Sequence, residues 1–101
     1  MTKARIHVPK ERIAEFCRKN RIQSLSLFGS ALRDDFGADS DVDVLVEFKP
    51  GARIGLIQFT RLELELSDIF GRKVDLNTPG FLNKHFRDKI LAEKEVQHVE
   101  A

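Results

Sequence analysis

The chain has 101 residues and contains neither tryptophan nor tyrosine. Stacking on a nucleobase therefore falls to phenylalanine or arginine, the protein cannot be modified on tyrosine, and its own absorbance at 280 nm is negligible. Cys17 is the single cysteine. That excludes an intrachain disulfide and a thiolate zinc cluster, and it fits a reducing compartment. No apolar run approaches the ~20 residues of a membrane span. The opening stretch, MTKARIHVPKERI, lacks the apolar region of a secretory signal. A cytoplasmic protein with no membrane partner is the expectation. Charge of one sign is also missing: the formal net charge is +1, which predicts no strong non-specific attraction to nucleic acid. No internal repeat, low-complexity segment or linker interrupts the chain, so a single domain over residues 1–101 is expected.

What is present is a soluble globular composition, 42% hydrophobic and 33% charged, with one marked local imbalance. Asp34, Asp35, Asp39, Asp41, Asp43 and Glu47 crowd one segment, and only Arg33 and Lys49 flank it. So much like charge is unfavourable without a counter-ion or a solvated loop.

Periodicity predicts the elements. Pro9 suits a helix start, and Ile13, Phe16 and Cys17 recur at helical spacing up to about Asn20. Gln23–Phe28 alternates, with Leu25 and Leu27 on one face and Ser24 and Ser26 on the other, as a strand does. Gly29 ends it, a short helix is expected over Ala31–Phe36, and Gly37–Ser40 reads as a loop. Asp41–Phe48 is the strongest strand, with Val42, Val44, Val46 and Phe48 as its core face. Lys49-Pro50-Gly51 breaks it. Leu56–Phe70 reads as the longest helix, with Phe59, Leu62, Leu66 and Ile69 as its apolar stripe and Gly71 as its stop. Arg72–Leu76 is a short strand, and a last helix covers about Leu82–Ala92. The tail from Val96 suits either an edge strand or a frayed end. The expected class is α/β (α+β): a small mixed sheet flanked by helices.

Chemistry concentrates in FGSALRDDFGADSDVDVLVEF, from Phe28 to Phe48. Residues two apart in a strand point the same way, so Asp41 and Asp43 share a face above the valines. Two carboxylates at that spacing suit a hard cation such as Mg²⁺. Asp75 lies between Val74 and Leu76, and an acid inside a short apolar strand needs a reason; a neighbouring strand could bring it beside the other two. Gly29 permits close backbone approach, Ser30 offers a hydroxyl and an N–H, and a helix starting there would direct its N-terminus at an anion. Arg33, one turn on, could add charge to the same anion. Asp39-Ser40-Asp41-Val42-Asp43 imitates the start of a calcium loop. That loop wants Gly at its sixth position and Glu at its twelfth, and here they are Val44 and Pro50.

This segment, followed by KVDLNTP, resembles the minimal nucleotidyltransferases of the polymerase-beta-type superfamily: a Gly-Ser turn, about ten residues, Asp-x-Asp on a strand and a third Asp on a later strand. The resemblance runs from about Ser24 to Pro79. It implies a polymerase-beta-like core that transfers a nucleoside monophosphate from a triphosphate to an acceptor hydroxyl. Gly29 and Ser30 would bind phosphates, Asp41 and Asp43 would hold two Mg²⁺ ions, and Asp75 would bind the catalytic ion and help deprotonate the acceptor. With little chain beyond this core, the acceptor is expected on another protein. Small members of the family resemble antitoxins that transfer AMP from ATP to a tyrosine of a HEPN-type ribonuclease toxin.

Plainer readings stand beside these. Asp75 could be an ion pair with Arg72 or Lys73, Arg33 a solvated residue, and Ser30 a helix cap. Cys17 and the rings of Phe59, Phe70, Phe81 and Phe86 suit the core. His7, His85 and His98 lack ligand spacing. As functions, a binding module that neutralises its partner by contact, or a transferase for a small-molecule hydroxyl, are the alternatives. The base of the triphosphate and the oligomeric state are left open.

Overall fold

The structure, a computed structural model, describes residues 6–34, 36–37 and 39–100. Helix α1 (Lys10–Lys19) follows Pro9, whose carbonyl accepts the Ile13 N–H at 3.0 Å. Strands β1 (Ile22–Phe28), β2 (Val42–Phe48), β3 (Val74–Asn77) and β4 (Glu95–Val99) form one sheet in the order β3-β2-β1-β4. β1 pairs antiparallel with β2 and β4, whereas β2 and β3 run parallel. Helix α2 (Leu56–Phe70) makes the crossover between the parallel pair, and α3 (Lys84–Glu93) precedes the last strand.

The sheet has two unequal faces. On one, α1 and α2 cover Leu25, Leu27, Val42, Val44, Val46, Val74 and Leu76; Ile13, Phe16 and Cys17 from α1 and Phe59, Leu62 and Leu66 from α2 complete this core. A register irregularity between Ile22 and Ser24 turns Ile22 to the same side. The other face has a far smaller apolar cluster of Phe28, Leu45 and Ile90, with Leu82 against it. The aspartates of β2 and β3 therefore emerge on the lightly covered face. Cys17 is buried in the main core, and burial first, then the Glu100 charge, pushes its thiol up to about 12. It is a packing residue, not a reactive one.

The edge strand β3 leaves outward N–H groups that need acceptors. Two side chains of α2 supply them: Ser67 Oγ accepts the Val74 N–H at 3.0 Å and Glu63 Oε2 accepts the Leu76 N–H at 2.8 Å. Gly71, at φ 69°, ends α2 in the left-handed conformation that a glycine adopts at no steric cost. Asn83 caps α3, its side chain accepting the Phe86 N–H at 2.9 Å.

Two expectations need correcting, and the open choice for the tail resolves. The helix anticipated over Ala31–Phe36 is a single 3-10 turn, Gly29–Leu32, and Arg33 beyond it is extended, at φ −97° and ψ 152°. Successive bonds from Arg33 N to Ser30 O and from Phe36 N to Arg33 O set tight turns here, overriding the helix propensity of Ala31, Leu32 and Arg33. Asp35 and Ala38, within the expected helix and loop, lie outside the described residues. The tail is a strand, β4, whose pairing continues past Val99 as Glu100 N–H donates to Gln23 O at 2.8 Å. Finally, Phe59 and Phe70 are core, but Phe81 and Phe86 are 62% and 56% exposed. Phe81 lies in a 3-10 turn (Pro79–Phe81) and makes a T-shaped contact with the Phe59 ring, at 5.0 Å between centroids. Phe86 opens onto a cavity instead.

Leu66→Ala, which empties a fully buried site on α2, is expected to cost about 2–5 kcal/mol. Leu64→Ala, exposed on the same helix, should stay within about 0.5 kcal/mol. Urea unfolding followed by far-UV circular dichroism checks both; equal losses would contradict the burial of this stripe.

Candidate active site

The site begins where β1 runs out. Phe28 is the register partner of Asp43, so the next residue, Gly29, turns away directly beside the Asp43 side chain. Gly29 has φ +60°, and a Cβ built on it would stand 2.5 Å from Asp43 Oδ2. Glycine is thus required twice, by its backbone angle and by the carboxylate lying against its bare Cα. The Ser30 N–H donates to Asp43 Oδ2 at 3.1 Å. Ser30 Oγ is 3.1 Å from the same oxygen and 2.7 Å from the Asp41 carbonyl. A hydroxyl has one proton, so these two acceptors share it, the shorter contact taking the larger part. The Gly-Ser turn therefore grips the strand carrying the acids, and its donors face Asp43. A 3-10 turn of four residues has no helix terminus of the kind expected here to direct at an anion.

On the other side of β2 the parallel register places Asp75 opposite Asp43. The structure thus brings these two together, with Asp41 just before β2 at its mouth. Lys73 Nζ approaches Asp41 Oδ2 at 3.9 Å, a weak surface pair given that the lysine side chain is 80% exposed. The two expected structural partners of Asp75 are engaged elsewhere: Lys73 with Asp41, and Arg72 with the Gly37 carbonyl and the Phe36 ring, 4.2 Å from its centroid. Burial, then the charges of Asp43 and Glu63, hold the Asp75 carboxyl above the usual range; the Asn77 amide pulls the other way and Asp41 adds a smaller push.

Among the described residues, no three Asp, Glu, His or Cys side chains close into a ready-made cation cage. The donor set is open: two carboxylates on adjacent strands and a third at the strand mouth. That suits Mg²⁺, which keeps water and takes part of its oxygen shell from substrate phosphates. The crowding around Asp75 is the repulsion that such a cation relieves.

A cavity of about 650 Å³ opens over these residues. Its sheet wall is Phe28, Gly29, Asp43, Asp75 and Asn77, joined by Arg33; its helical wall is Leu82, Phe86, Lys89, Ile90 and Glu93. Arg33, read from sequence as near the anion, does line this space. Asn77, Phe86, Lys89 and Glu93 were not singled out as site residues from the sequence. Only the i, i+4, i+7, i+8, i+11 spacing of Leu82, Phe86, Lys89, Ile90 and Glu93 along one helical stripe could have pointed to them. Ser26 Oγ is buried on this face of the sheet without a hydrogen-bond partner among the described residues. His98 is half-buried and pairs with Glu100; His7 and His85 are exposed.

A profile of the nucleotidyltransferase domain matches residues 10–97. The chain belongs to this nucleotidyltransferase family. A protein of Methanocaldococcus jannaschii, provisionally named a protein adenylyltransferase, is 34% identical over 84 residues, covering 83% of this chain and 88% of the relative. A solved structure described as a minimal nucleotidyltransferase superposes with a TM-score of 0.71 at 30% identity, covering 85% of this chain and 86% of the other. A chain from the complex of a tri-AMPylated Shewanella oneidensis HEPN toxin with an MNT antitoxin superposes with a TM-score of 0.64 over 90% of this chain and 70% of its own. Its 18% identity supports the shared fold alone. The nucleotidyltransferase core expected from sequence is thus present, as a mixed four-stranded sheet with three α-helices.

Two outcomes follow for this nucleotidyltransferase domain. Gly29→Ala forces a Cβ into Asp43 and a left-handed angle on alanine; it should cost at least about 1–2 kcal/mol and displace Asp43, measured as lowered thermal stability together with lost transferase activity. A stable, fully active variant would contradict the seating of Asp43. For Asp75, the fold favours the neutral carboxyl. Its contribution to stability is greatest below the ordinary aspartate pKa and is lost as pH rises through the raised value. Without divalent cation, Asp75→Asn should therefore melt higher than the parent at neutral pH, with the gap closing in acid. Circular dichroism melts across pH check this; a gap that widens in acid would reverse the sign of the argument.

Proposed function

We propose that this nucleotidyltransferase is a protein adenylyltransferase of the antitoxin type. It transfers AMP from ATP to a tyrosine hydroxyl of a HEPN-type ribonuclease partner and releases pyrophosphate. The observation that carries the reading is the register pairing of Asp43 with Asp75, with Gly29-Ser30 set directly against Asp43, open to a cavity that also holds Arg33. The name of the M. jannaschii relative supports a protein as acceptor, and the AMPylated HEPN toxin bound to an MNT antitoxin supports the kind of partner.

Roles follow from position. Asp43 and Asp75, with Asp41 at the strand mouth, would hold Mg²⁺, two ions by the family pattern. The ions supply charge that stabilises the attacking and leaving oxygens of an in-line displacement. Gly29 leaves room for the Asp43 carboxylate against its bare Cα, and Ser30 fixes that carboxylate through its N–H and hydroxyl. Arg33 balances phosphate charge from the cavity rim. Asp75, facing the same cavity, accepts the proton that the acceptor hydroxyl loses as it attacks the α-phosphorus. The bond from that phosphorus to the bridging oxygen breaks, and the electron pair leaves with pyrophosphate.

The test is an intact-mass measurement on a HEPN partner incubated with the protein, ATP and Mg²⁺. A gain in multiples of one AMP is expected, falling at least about 10²-fold in rate in Asp43→Asn, since several kcal/mol of charge stabilisation are removed. Toxin neutralisation that is undiminished in Asp41→Asn and Asp43→Asn would instead place protection in contact between the two proteins.

A further inference from the structure

The chain must bind any nucleobase without Trp or Tyr, and eight phenylalanines are its whole aromatic stock. Phe16, Phe28, Phe59 and Phe70 are buried, and Phe48 packs against the main core. Phe36 lies under the Arg72 guanidinium, and the exposed Phe81 makes a T-shaped pair with Phe59. Among the described residues, Phe86 alone is more than half exposed, has no aromatic or cationic partner, and lines the cavity that contains Asp43 and Asp75.

Its position is fixed from both ends. The Phe86 N–H is held by the Asn83 cap, and one turn later Ile90, only 3% exposed, anchors α3 to Phe28 and Leu45. A ring so placed faces open space at no further cost in backbone order. Leu82 and Ile90 flank it with apolar surface on the same wall, and Lys89 and Arg33, in the same cavity, make no ion pair among the described residues. A wall with an exposed ring between Leu82 and Ile90, carrying Lys89 and Glu93 as its charged residues, facing a wall with the carboxylates of Asp43 and Asp75 and with Arg33 at hand, matches the two halves of a nucleoside triphosphate with its metal: a flat base with a π-face, and a charged tail.

We propose that the inner face of α3 is the nucleobase platform of this enzyme, with Phe86 stacking on the base of the triphosphate. This rests on the nucleotidyltransferase reading of Asp43 and Asp75. Base–aromatic stacking is sequence-tolerant, so Phe86 would supply affinity for the base while leaving its identity to polar contacts.

The test compares ATP with inorganic tripolyphosphate, each titrated calorimetrically in Mg²⁺ against the full chain. Phe86→Ala should weaken ATP binding by about tenfold to a hundredfold, the scale of one base stack. Tripolyphosphate affinity and the melting temperature should stay unchanged, because the ring is exposed. Phe86→Trp should restore ATP affinity, and its fluorescence, the only tryptophan signal in the protein, should be quenched by ATP but not by tripolyphosphate. Unchanged ATP affinity in Phe86→Ala overturns the platform, and a selective rise in KM for the protein acceptor would assign that wall to the acceptor instead. If the unmodified protein binds neither ligand, the nucleotidyltransferase reading falls first and the platform with it.

Discussion

The Asp43 carboxylate rests against a Cα that carries no side chain and is gripped by the N–H and hydroxyl of the next residue. Much of the site follows from that contact. It ties the end of β1 to the start of β2, because Ser30 reaches the Asp41 carbonyl and the Asp43 side chain together. It also explains why the turn is a tight 3-10 element: a longer approach would lift the Ser30 donors off the strand. In an isolated turn the left-handed Gly29 would be a minor conformational choice. Here the same residue makes room for an acid, and the acid, being on a strand, passes its position to its register partner Asp75.

That partnership is electrostatically unfavourable for the protein alone. Asp75 stands beside Asp43, with Asp41 and Glu63 near enough to raise its pKa. Glu63 is not dispensable, because it accepts the Leu76 N–H on the open edge of β3. One carboxylate thus secures the edge strand and, by the same proximity, adds to the repulsion on the acid that strand presents. Local repulsion at a site is tolerable where the rest of the fold outweighs it, and the dense core on the opposite face of the sheet meets that condition. A divalent cation reverses the sign of the local term: each carboxylate that repels its neighbour becomes a ligand.

The sequence made the strands, α2 and the acidic site legible because each leaves a periodic or spaced signal. Val42, Val44 and Val46 alternate, Phe59, Leu62, Leu66 and Ile69 recur at helical spacing, and Gly29-Ser30 stands at a fixed distance from Asp41 and Asp43. What escaped depends on contacts between distant segments. Nothing local in LNKHFRDKI shows that Phe86 faces a cavity while Ile90 is buried; that depends on where α3 crosses the sheet. Glu63 reads as a solvated helix residue until β3 is seen to need an acceptor there. The Ala31–Phe36 helix failed for a related reason: Leu32 and Phe36 do pack against the core, at a spacing that suits a helix, but consecutive tight turns reach the same contacts and leave Ser30 on Asp43.

The unequal covering of the two sheet faces joins these points. The face under α1 and α2 excludes water and gathers most of the buried apolar side chains. The other face has Phe28, Leu45 and Ile90 as its apolar cluster with Leu82 against it, so α3 reaches this face through one buried residue, Ile90, while Phe86, Lys89 and Glu93 line the cavity. A helix packed along its full length would be more stable but would fill the space above Asp43 and Asp75. By anchoring α3 at Ile90 and starting it at Asn83, the chain fixes the helix direction without closing the gap. The cavity lies between this helix and the sheet, and Asp43 and Asp75 line it because strand parity sends the valines to the other side.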